Sequence, residues 1–146
     1  MADKIATVHW EGRGKKGVGR ISTETTALQA YPYGFASRFE DDKKGTNPEE
    51  LLAAAHAACF TMAFSFACDS AGFDTKNVDT KAAVRLAMKG GGFSIEHISL
   101  TLEASVPGID EATFQKIAAK AKADCPLSKA LASVPEIALT AVLRKD

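Results

Sequence analysis

The chain has 146 residues, of which 46% are hydrophobic and 25% are charged, and its 18 acidic side chains balance 18 basic ones. This length and composition predict a single compact domain, residues 1–146, with the charge content of an ordinary soluble protein. The zero formal net charge leaves no overall field to attract nucleic acid or an anionic membrane, so we expect neither as a partner.

The first 45 residues are predicted to form strands and turns. Residues 5–10 alternate loosely in polarity, and residues 17–26 are rich in Val, Ile and Thr, which favour strands. Between them lies a loop of glycines and basic residues, interpreted as a solvated hairpin loop because no helix start follows it to bind an anion. Residues 31–35 are predicted to be irregular, and residues 41–45 to form a polar loop.

A long helix is predicted next. Asn47 is a suitable N-cap, Pro48 fits the first helical position, and Glu49 and Glu50 fall in the first turn. Residues 51–67 are apolar or small on nearly every side, which predicts a helix that is buried all round. In so small a domain, such a helix suggests that a second chain supplies part of its cover.

Three more strands and two helices are predicted after this helix. The strands are residues 80–88, 93–106 and 137–143. The first two are joined through glycines 90–92, as in a hairpin. Asp110 is the predicted cap of the second helix, which ends at Cys125 because Pro126 restricts the residue before it, and a short helix then restarts. The fold class is therefore α+β.

The cellular compartment is predicted from the N-terminus and the cysteines. The first residues lack the apolar segment and the cleavage pattern of a secretory signal, so we expect the protein in the cytoplasm. The long apolar helix could just span a bilayer, but its alanine content and its polar His56, Thr61 and Ser65 favour a buried helix. In a reducing compartment, three cysteines predict a transient catalytic bond rather than a structural disulfide set.

The cysteines differ in their predicted surroundings. Cys59 lies about twelve residues into the long helix, beyond the reach of its N-terminal dipole, and is an inert small hydrophobe unless a cation lies nearby. Cys125 starts the short helix at an irregular position, suited to a thiol that moves toward another. Cys68 is interpreted as core packing.

His56 lies one turn before Cys59 on a similar helix face, and two interpretations remain open. It is either the base of a Cys–His enzyme or a hydrogen-bonded residue of the interior. A metal site made by His56, Cys59 and Cys125 lacks the usual CxxC or HxxxH spacing, so we predict no metal and no cofactor.

Several motifs resemble those of one known family. They are TNPEEL at 46–51, AHAACF at 55–60, CPLS at 125–128, YGF at 33–35, SRFE at 37–40 and VPGID at 106–110. In these segments the chain resembles the OsmC/Ohr family of osmotically inducible and organic hydroperoxide resistance proteins. The last three motifs resemble the OsmC branch, and the similarity extends over nearly the whole chain.

The resemblance implies a function and a set of site residues. It makes Cys59 the peroxidatic cysteine and Cys125 the resolving cysteine that forms a disulfide with it. It also makes Glu49 the residue that orients an arginine, which is Arg38 in the OsmC branch, whereas the Ohr branch would point to Arg20. The implied protein is a thiol peroxidase of stress defence that reduces organic hydroperoxides and is regenerated by a dithiol, of lipoyl type in this family.

The implied architecture is an intertwined α+β homodimer, with antiparallel sheets packed around a long buried central helix and two active sites at the interface. Glu49 and Cys59 are ten residues apart, a rise of about 15 Å along one helix. The resemblance requires an arginine held by Glu49 to touch Cys59, so we predict that Glu49 and Arg38 serve the cysteine of the other chain.

Two other functions fit parts of the sequence. A Cys–His acyl-transfer enzyme would use His56 and Cys59 and would give Cys125 no role. A dimer that only binds small hydrophobic ligands would need no reactive thiol. Counting free thiols after adding an alkyl hydroperoxide separates the three functions.

Overall fold

A computed structural model describes residues 1–145, in which the chain divides into two compact units. Residues 1–51 form the first unit, and the second begins at Leu52. The α+β class is confirmed, with two three-stranded sheets and four α-helices in the described residues. The assignment of residues 1–146 to a single domain stays a prediction.

The first unit is built on an antiparallel sheet with the strand order β1-β2-β3. The strands are β1 (Ala6–Glu11), β2 (Val18–Thr23) and β3 (Tyr31–Tyr33). A short helix, α1 (Phe35–Phe39), follows. The prediction of irregular structure over residues 31–35 is therefore wrong, because β3 and the start of α1 occupy them. Elements of three and five residues are too short to show a periodic pattern.

Helix α2 (Pro48–Ser70) starts where it was predicted to start, since the Glu50 amide donates to Asn47 Oδ1 at 2.8 Å. The side chains that α2 buries are His56, Phe60, Phe64 and Cys68. They recur every four residues and form one stripe, while Met62 and Phe66 are 59% and 65% exposed. A single chain therefore does not bury α2 on every side, and cover by a second chain stays a prediction.

The length and composition of α2 would also allow it to cross a membrane, but the core helix of a soluble protein passes the same test. The buried stripe of α2 lies in the hydrophobic core of this chain. We therefore interpret α2 as a core helix.

The second sheet has the strand order β4-β5-β6. Its strands are β4 (Asn77–Lys89), β5 (Gly92–Ser105) and β6 (Glu136–Leu143), and its helices are α3 (Glu111–Asp124) and α4 (Pro126–Ala130). β4 and β5 form the predicted hairpin, and Gly90 and Gly91 take the positive φ angles of 59° and 82° that its turn requires.

One strand departs from the antiparallel sheets that the resemblance implied. β6 runs parallel to β5, with Ile98 opposite Ile137 and Leu102 opposite Ala141. Two parallel strands need a long crossover, and α3 and α4 supply it by carrying the chain back to the start of β5.

The core of the second unit lies where α2, α3 and β5 meet. Every second residue of β5 from Ile98 to Ala104 is buried, as the sequence alternation predicts. Phe64 of α2 packs edge-to-face against Phe114 of α3, with ring centroids 5.7 Å apart. Cys125 belongs to this cluster and the partly exposed Cys59 packs against it, so the core fixes the elements that carry both thiols.

Candidate active site

Two cysteines face each other in the second unit. The Cys125 thiol donates a hydrogen bond to Cys59 Sγ, with the sulfur atoms 3.0 Å apart, and both cysteines are free thiols. Cys125 is completely buried and Cys59 is partly exposed. A disulfide needs an S–S separation of about 2.05 Å, so a shift of about 1 Å would join the two sulfurs.

The local sequence explains how Cys125 comes to face α2. Its amide still bonds the Ala121 carbonyl at the end of α3, while its carbonyl accepts from the Lys129 amide in the first turn of α4. Pro126 at the first position of α4 breaks the helix between these two bonds. Cys125 therefore lies at a corner of the backbone between α3 and α4, and its movement toward another thiol stays a prediction.

The surroundings of Cys59 do not activate it within the second unit. Burial raises the pKa of the Cys59 thiol, and the hydrogen bond with Cys125 raises it further. The Leu127 amide near the start of α4 donates to Cys59 and acts in the opposite direction on its pKa. The net effect is upward, so a reactive Cys59 needs a cation from elsewhere.

His56 bonds α4 and not Cys59. Its Nε2 lies 2.9 Å from Ser128 Oγ, and its Nδ1 has no hydrogen-bond partner among residues 1–145. Burial lowers the pKa of His56, which favours a neutral ring at neutral pH. A base for Cys59 would have to bond the thiol, so this arrangement speaks against the Cys–His enzyme.

Arg38 and Glu49 form an ion pair in the first unit. Arg38 Nε donates to Glu49 Oε2 at 3.2 Å, and Arg38 Nη2 donates to Glu49 Oε1 at 2.7 Å. This bidentate interaction fixes the plane of the guanidinium. The hydrogen bond to Glu49 also raises the pKa of Arg38. The Arg38 side chain remains 36% exposed, so one face of it can still bind another group.

Two polar residues join α1 to the start of α2 and so hold this ion pair in place. Ser37 Oγ accepts from the Gly34 amide at 3.0 Å and donates to the Thr46 carbonyl at 2.8 Å. Asn47 Nδ2 donates to the Ser37 carbonyl at 3.0 Å while its Oδ1 caps α2. Arg38 follows Ser37 and Glu49 lies two residues after Asn47, so these bonds set the separation between the two charges.

An apolar cavity of about 420 Å³ lies beside Arg38 in the first unit. Its walls include the rings of Trp10, Tyr33 and Phe35. Trp10 and Tyr33 pack against each other with centroids 5.7 Å apart. The cavity thus places an apolar surface next to the Arg38 guanidinium, which suits a ligand with an apolar body and a polar oxygen group.

The structure brings the predicted residues together as two pairs. Cys59 meets Cys125, and Glu49 meets Arg38, whereas the described residues give Arg20 no bond to Glu49. The thiol pair belongs to the second unit and the ion pair to the first. The catalytic roles of all four residues stay predictions.

Sequence reasoning missed the supporting residues. Ser37 and Ser128 are buried serines whose hydroxyls form specific bonds, and the Leu127 amide was not considered. The sequence pointed to them only as members of the SRFE and CPLS motifs, in which Ser37 precedes Arg38 and Ser128 lies three residues after Cys125. Within residues 1–145, no three His, Cys, Asp or Glu side chains are grouped so as to hold a metal ion.

An α+β fold that holds two free thiols 3.0 Å apart has the geometry that thiol–disulfide redox chemistry requires. The profile of the family described as OsmC-like protein matches residues 40–140 of the chain. The chain belongs to this family, and the resemblance drawn from its motifs is confirmed.

Relatives extend the match over most of the chain. Peroxiredoxin OsmC of Escherichia coli (strain K12) is 52% identical over 128 residues, which cover 88% of this chain and 89% of that protein. The organic hydroperoxide resistance protein of Xanthomonas axonopodis pv. citri (strain 306) is 35% identical over 97 residues, 66% of each chain. The solved structure of organic hydroperoxide resistance protein OhrB of Bacillus subtilis has a TM-score of 0.68 at 26% identity, covering 96% of this chain and 98% of that one.

Proposed function

We propose that this protein is a cysteine-based peroxidase that reduces organic hydroperoxides to alcohols and serves in oxidative stress defence. Its catalytic residues are Cys59, Cys125, Arg38 and Glu49. The observation that carries the proposal is the 3.0 Å separation of Cys59 Sγ and Cys125 Sγ, since it supplies both a nucleophile and a second thiol to resolve it. The names of the relatives, peroxiredoxin and organic hydroperoxide resistance protein, support the same activity.

The first step oxidises Cys59. Its thiolate attacks the terminal oxygen of the hydroperoxide, so that an S–O bond forms and the O–O bond breaks. Sulfur loses two electrons, the peroxide gains them, and the alkoxide takes a proton and leaves as an alcohol. Arg38 donates to the oxygen on which negative charge develops, and Glu49 holds the guanidinium for that purpose.

The second step joins the cysteines. Cys125 Sγ attacks the sulfenic sulfur of Cys59, the S–S bond forms and the S–O bond breaks, and the hydroxyl leaves as water with the proton of Cys125. A dithiol then reduces the disulfide by exchange and is itself oxidised. We propose a lipoyl-type dithiol as this reductant and the cytoplasm, where cysteines remain reduced, as the compartment.

The apolar cavity beside Arg38 supports an organic substrate. Tyr33 and Phe35 line this cavity, whereas Phe60 and Phe64 are fully buried in the core. An alkyl chain in the cavity would bring its hydroperoxide toward the guanidinium. Initial rates with hydrogen peroxide, cumene hydroperoxide and a fatty-acid hydroperoxide, each measured with several dithiols, would rank substrates and reductants.

Thiol counting tests the mechanism. One equivalent of an alkyl hydroperoxide should remove two of the three free thiols of each chain, because Cys59 and Cys125 become a disulfide while Cys68 stays in the core. The thiols are counted after unfolding the oxidised protein. Cys125→Ser should lose one thiol, complete one turnover and leave a Cys59 sulfenic acid that a dimedone probe labels. Loss of no thiol from the unchanged protein would contradict the peroxidase function.

We further propose a homodimer in which Arg38 and Glu49 serve Cys59 of the partner subunit. Glu49 and Cys59 are ten positions apart in α2, a rise of about 15 Å. The exposed Met62 and Phe66 give α2 an apolar face that a second copy would cover. Both features support an interface between two copies of α2.

Heterodimers test this assignment. Two differently tagged chains, one with Cys59→Ser and one with Arg38→Ala, are co-expressed and the mixed dimer is purified by both tags. Sharing across chains predicts one complete site and about half of the unchanged activity. The matched control places both substitutions in one chain beside an unchanged chain, and sharing predicts that it is nearly inactive. The opposite pattern would assign Arg38 to the cysteine of its own chain.

A further inference from the structure

The buried His56 has no place in the chemistry above, although it lies beside it. Its side chain is completely buried, and Nδ1 has no partner among residues 1–145. A buried polar atom without a partner costs free energy, so a hydrocarbon side chain would pack in this position at lower cost. Among the described residues, the imidazole makes one hydrogen bond, between Nε2 and Ser128 Oγ at 2.9 Å.

The two residues of this bond are each three positions from a cysteine of the thiol pair. His56 precedes Cys59 by three residues on α2, and Ser128 follows Cys125 by three residues at the start of α4. Residues three apart on a helix lie on one face, so α2 and the Cys125–Ser128 segment meet at two neighbouring points. One contact is the imidazole–hydroxyl bond and the other is the pair of sulfurs.

We propose that His56 and Ser128 are positioning residues, whose hydrogen bond holds Cys125 against α2 and thereby sets how fast Cys125 resolves the Cys59 sulfenic acid. The inference rests on the two-cysteine peroxidase proposed above. It assigns the bond to the second step, because Ser128 is joined through the backbone to the resolving cysteine.

The consequence is protection of Cys59. A sulfenic acid can react with Cys125 to give a disulfide and water, or with a second hydroperoxide to give a sulfinic acid and an alcohol. The sulfurs must approach by only about 1 Å to form the disulfide, so we expect the His56–Ser128 bond to persist while they do. If the Cys125–Ser128 segment were released from α2, Cys125 would lie near Cys59 for less of the time. A larger fraction of Cys59 would then be oxidised to sulfinic acid.

The test measures the ratio of disulfide to sulfinic acid formed by intact protein in excess alkyl hydroperoxide, by mass spectrometry of the Cys59 peptide. Ser128→Ala should lower this ratio about fivefold, as expected for the loss of one buried hydrogen bond. His56→Phe should lower it similarly, and the double variant should fall no further than the single ones, since both remove the same bond. Ser128→Thr, which keeps a hydroxyl, should restore most of the ratio.

A matched control uses another hydroxyl of α2. Thr61 Oγ1 donates to Thr80 Oγ1 at 2.6 Å, a bond between α2 and β4 that does not involve α4. Thr61→Val removes that bond and should leave the ratio unchanged. Equal ratios in Ser128→Ala and the unchanged protein would overturn the inference, as would an equal fall in Thr61→Val or in Ser128→Thr.

The inference and the proposed function fail in different ways. If the unchanged protein forms no disulfide with an alkyl hydroperoxide, the peroxidase function is wrong and the inference falls with it. If the unchanged protein forms the disulfide, and Ser128→Ala and His56→Phe give the same ratio of disulfide to sulfinic acid as the unchanged protein, the inference alone is wrong. Should His56→Phe fail to fold, as judged by circular dichroism, Ser128→Ala still decides.

Discussion

The Arg38–Glu49 ion pair and the Cys59–Cys125 thiol pair differ in sequence separation and in burial. Arg38 and Glu49 are eleven residues apart in sequence and form a partly exposed ion pair, fixed by bonds between α1 and the start of α2. Cys59 and Cys125 are 66 residues apart and meet only because the core packs α3 and α4 against α2. The Arg38 side chain is partly exposed to water, whereas Cys125 is completely buried and burial raises the pKa of Cys59.

In the proposed mechanism, neither region is sufficient for catalysis by itself. The guanidinium has no nucleophile in its own unit, because all three cysteines lie beyond residue 51. The thiol region holds Cys59 with a raised pKa and supplies one backbone amide against it. The proposed mechanism therefore requires both regions, because it uses Arg38 to stabilise the Cys59 thiolate. The following predictions test that dependence.

Arg38→Ala should give the largest effect. Removing the donor that faces the peroxide should slow the oxidation of Cys59 about 10²–10³-fold, the range seen when one donor to a developing oxyanion is lost. The rate rises with pH as the Cys59 thiol ionises. Loss of the cation raises the pKa of Cys59, so the pH–rate profile should also move to higher pH. Stopped-flow measurement of single-turnover rates between pH 5 and about 9 reports both changes.

Arg38→Lys is the matched variant. It keeps a positive charge but cannot form the two-pronged bond with Glu49. The pH–rate profile should return toward that of the unchanged protein, while the maximal rate recovers only in part. If the pH–rate profile of Arg38→Ala is not shifted along the pH axis, Arg38 does not stabilise the Cys59 thiolate.

Glu49→Gln should have a smaller effect, about tenfold on the same rate. Arg38 keeps its charge, but a neutral amide holds the guanidinium less firmly than a carboxylate does. Stability should change by less than about 1 kcal/mol, because the pair is partly exposed and such pairs contribute little to unfolding free energy. Comparing the rate with urea unfolding separates orientation from folding. A large loss of stability without a loss of rate would show that Glu49 acts only in the fold.

The same two regions differ in how far the sequence predicts them. The start of α2 was predictable because its signals are local: Asn47 caps the helix and Glu49 lies in its first turn. The pairing of Cys59 with Cys125 was implied by resemblance to a family, since their approach depends on long-range packing. Helix α1, which carries Arg38, was missed because five residues carry no periodic signal.

Side-chain bonds between distant segments were also out of reach. The sequence left His56 between a catalytic and a structural role, and its bond to Ser128 joins positions 72 residues apart. Proline at position 126 predicted the break between α3 and α4, but not that the corner would bury Cys125 completely. Local chemistry thus fixes where elements begin and end, and tertiary packing decides which side chains meet.

Asn47→Ala should have the smallest effect on the rate and a measurable one on stability. Its side chain caps α2 and also bonds the Ser37 carbonyl of α1, so its loss should lower the free energy of unfolding by about 1–2 kcal/mol. The rate should fall only a few-fold, because Arg38 keeps its bond to Glu49. Asn47→Asp retains the cap but has no Nδ2 donor, and should keep most of the stability. Urea unfolding at one fixed protein concentration measures both variants, and equal losses in the two would assign the stability to the Ser37 bond instead of the cap.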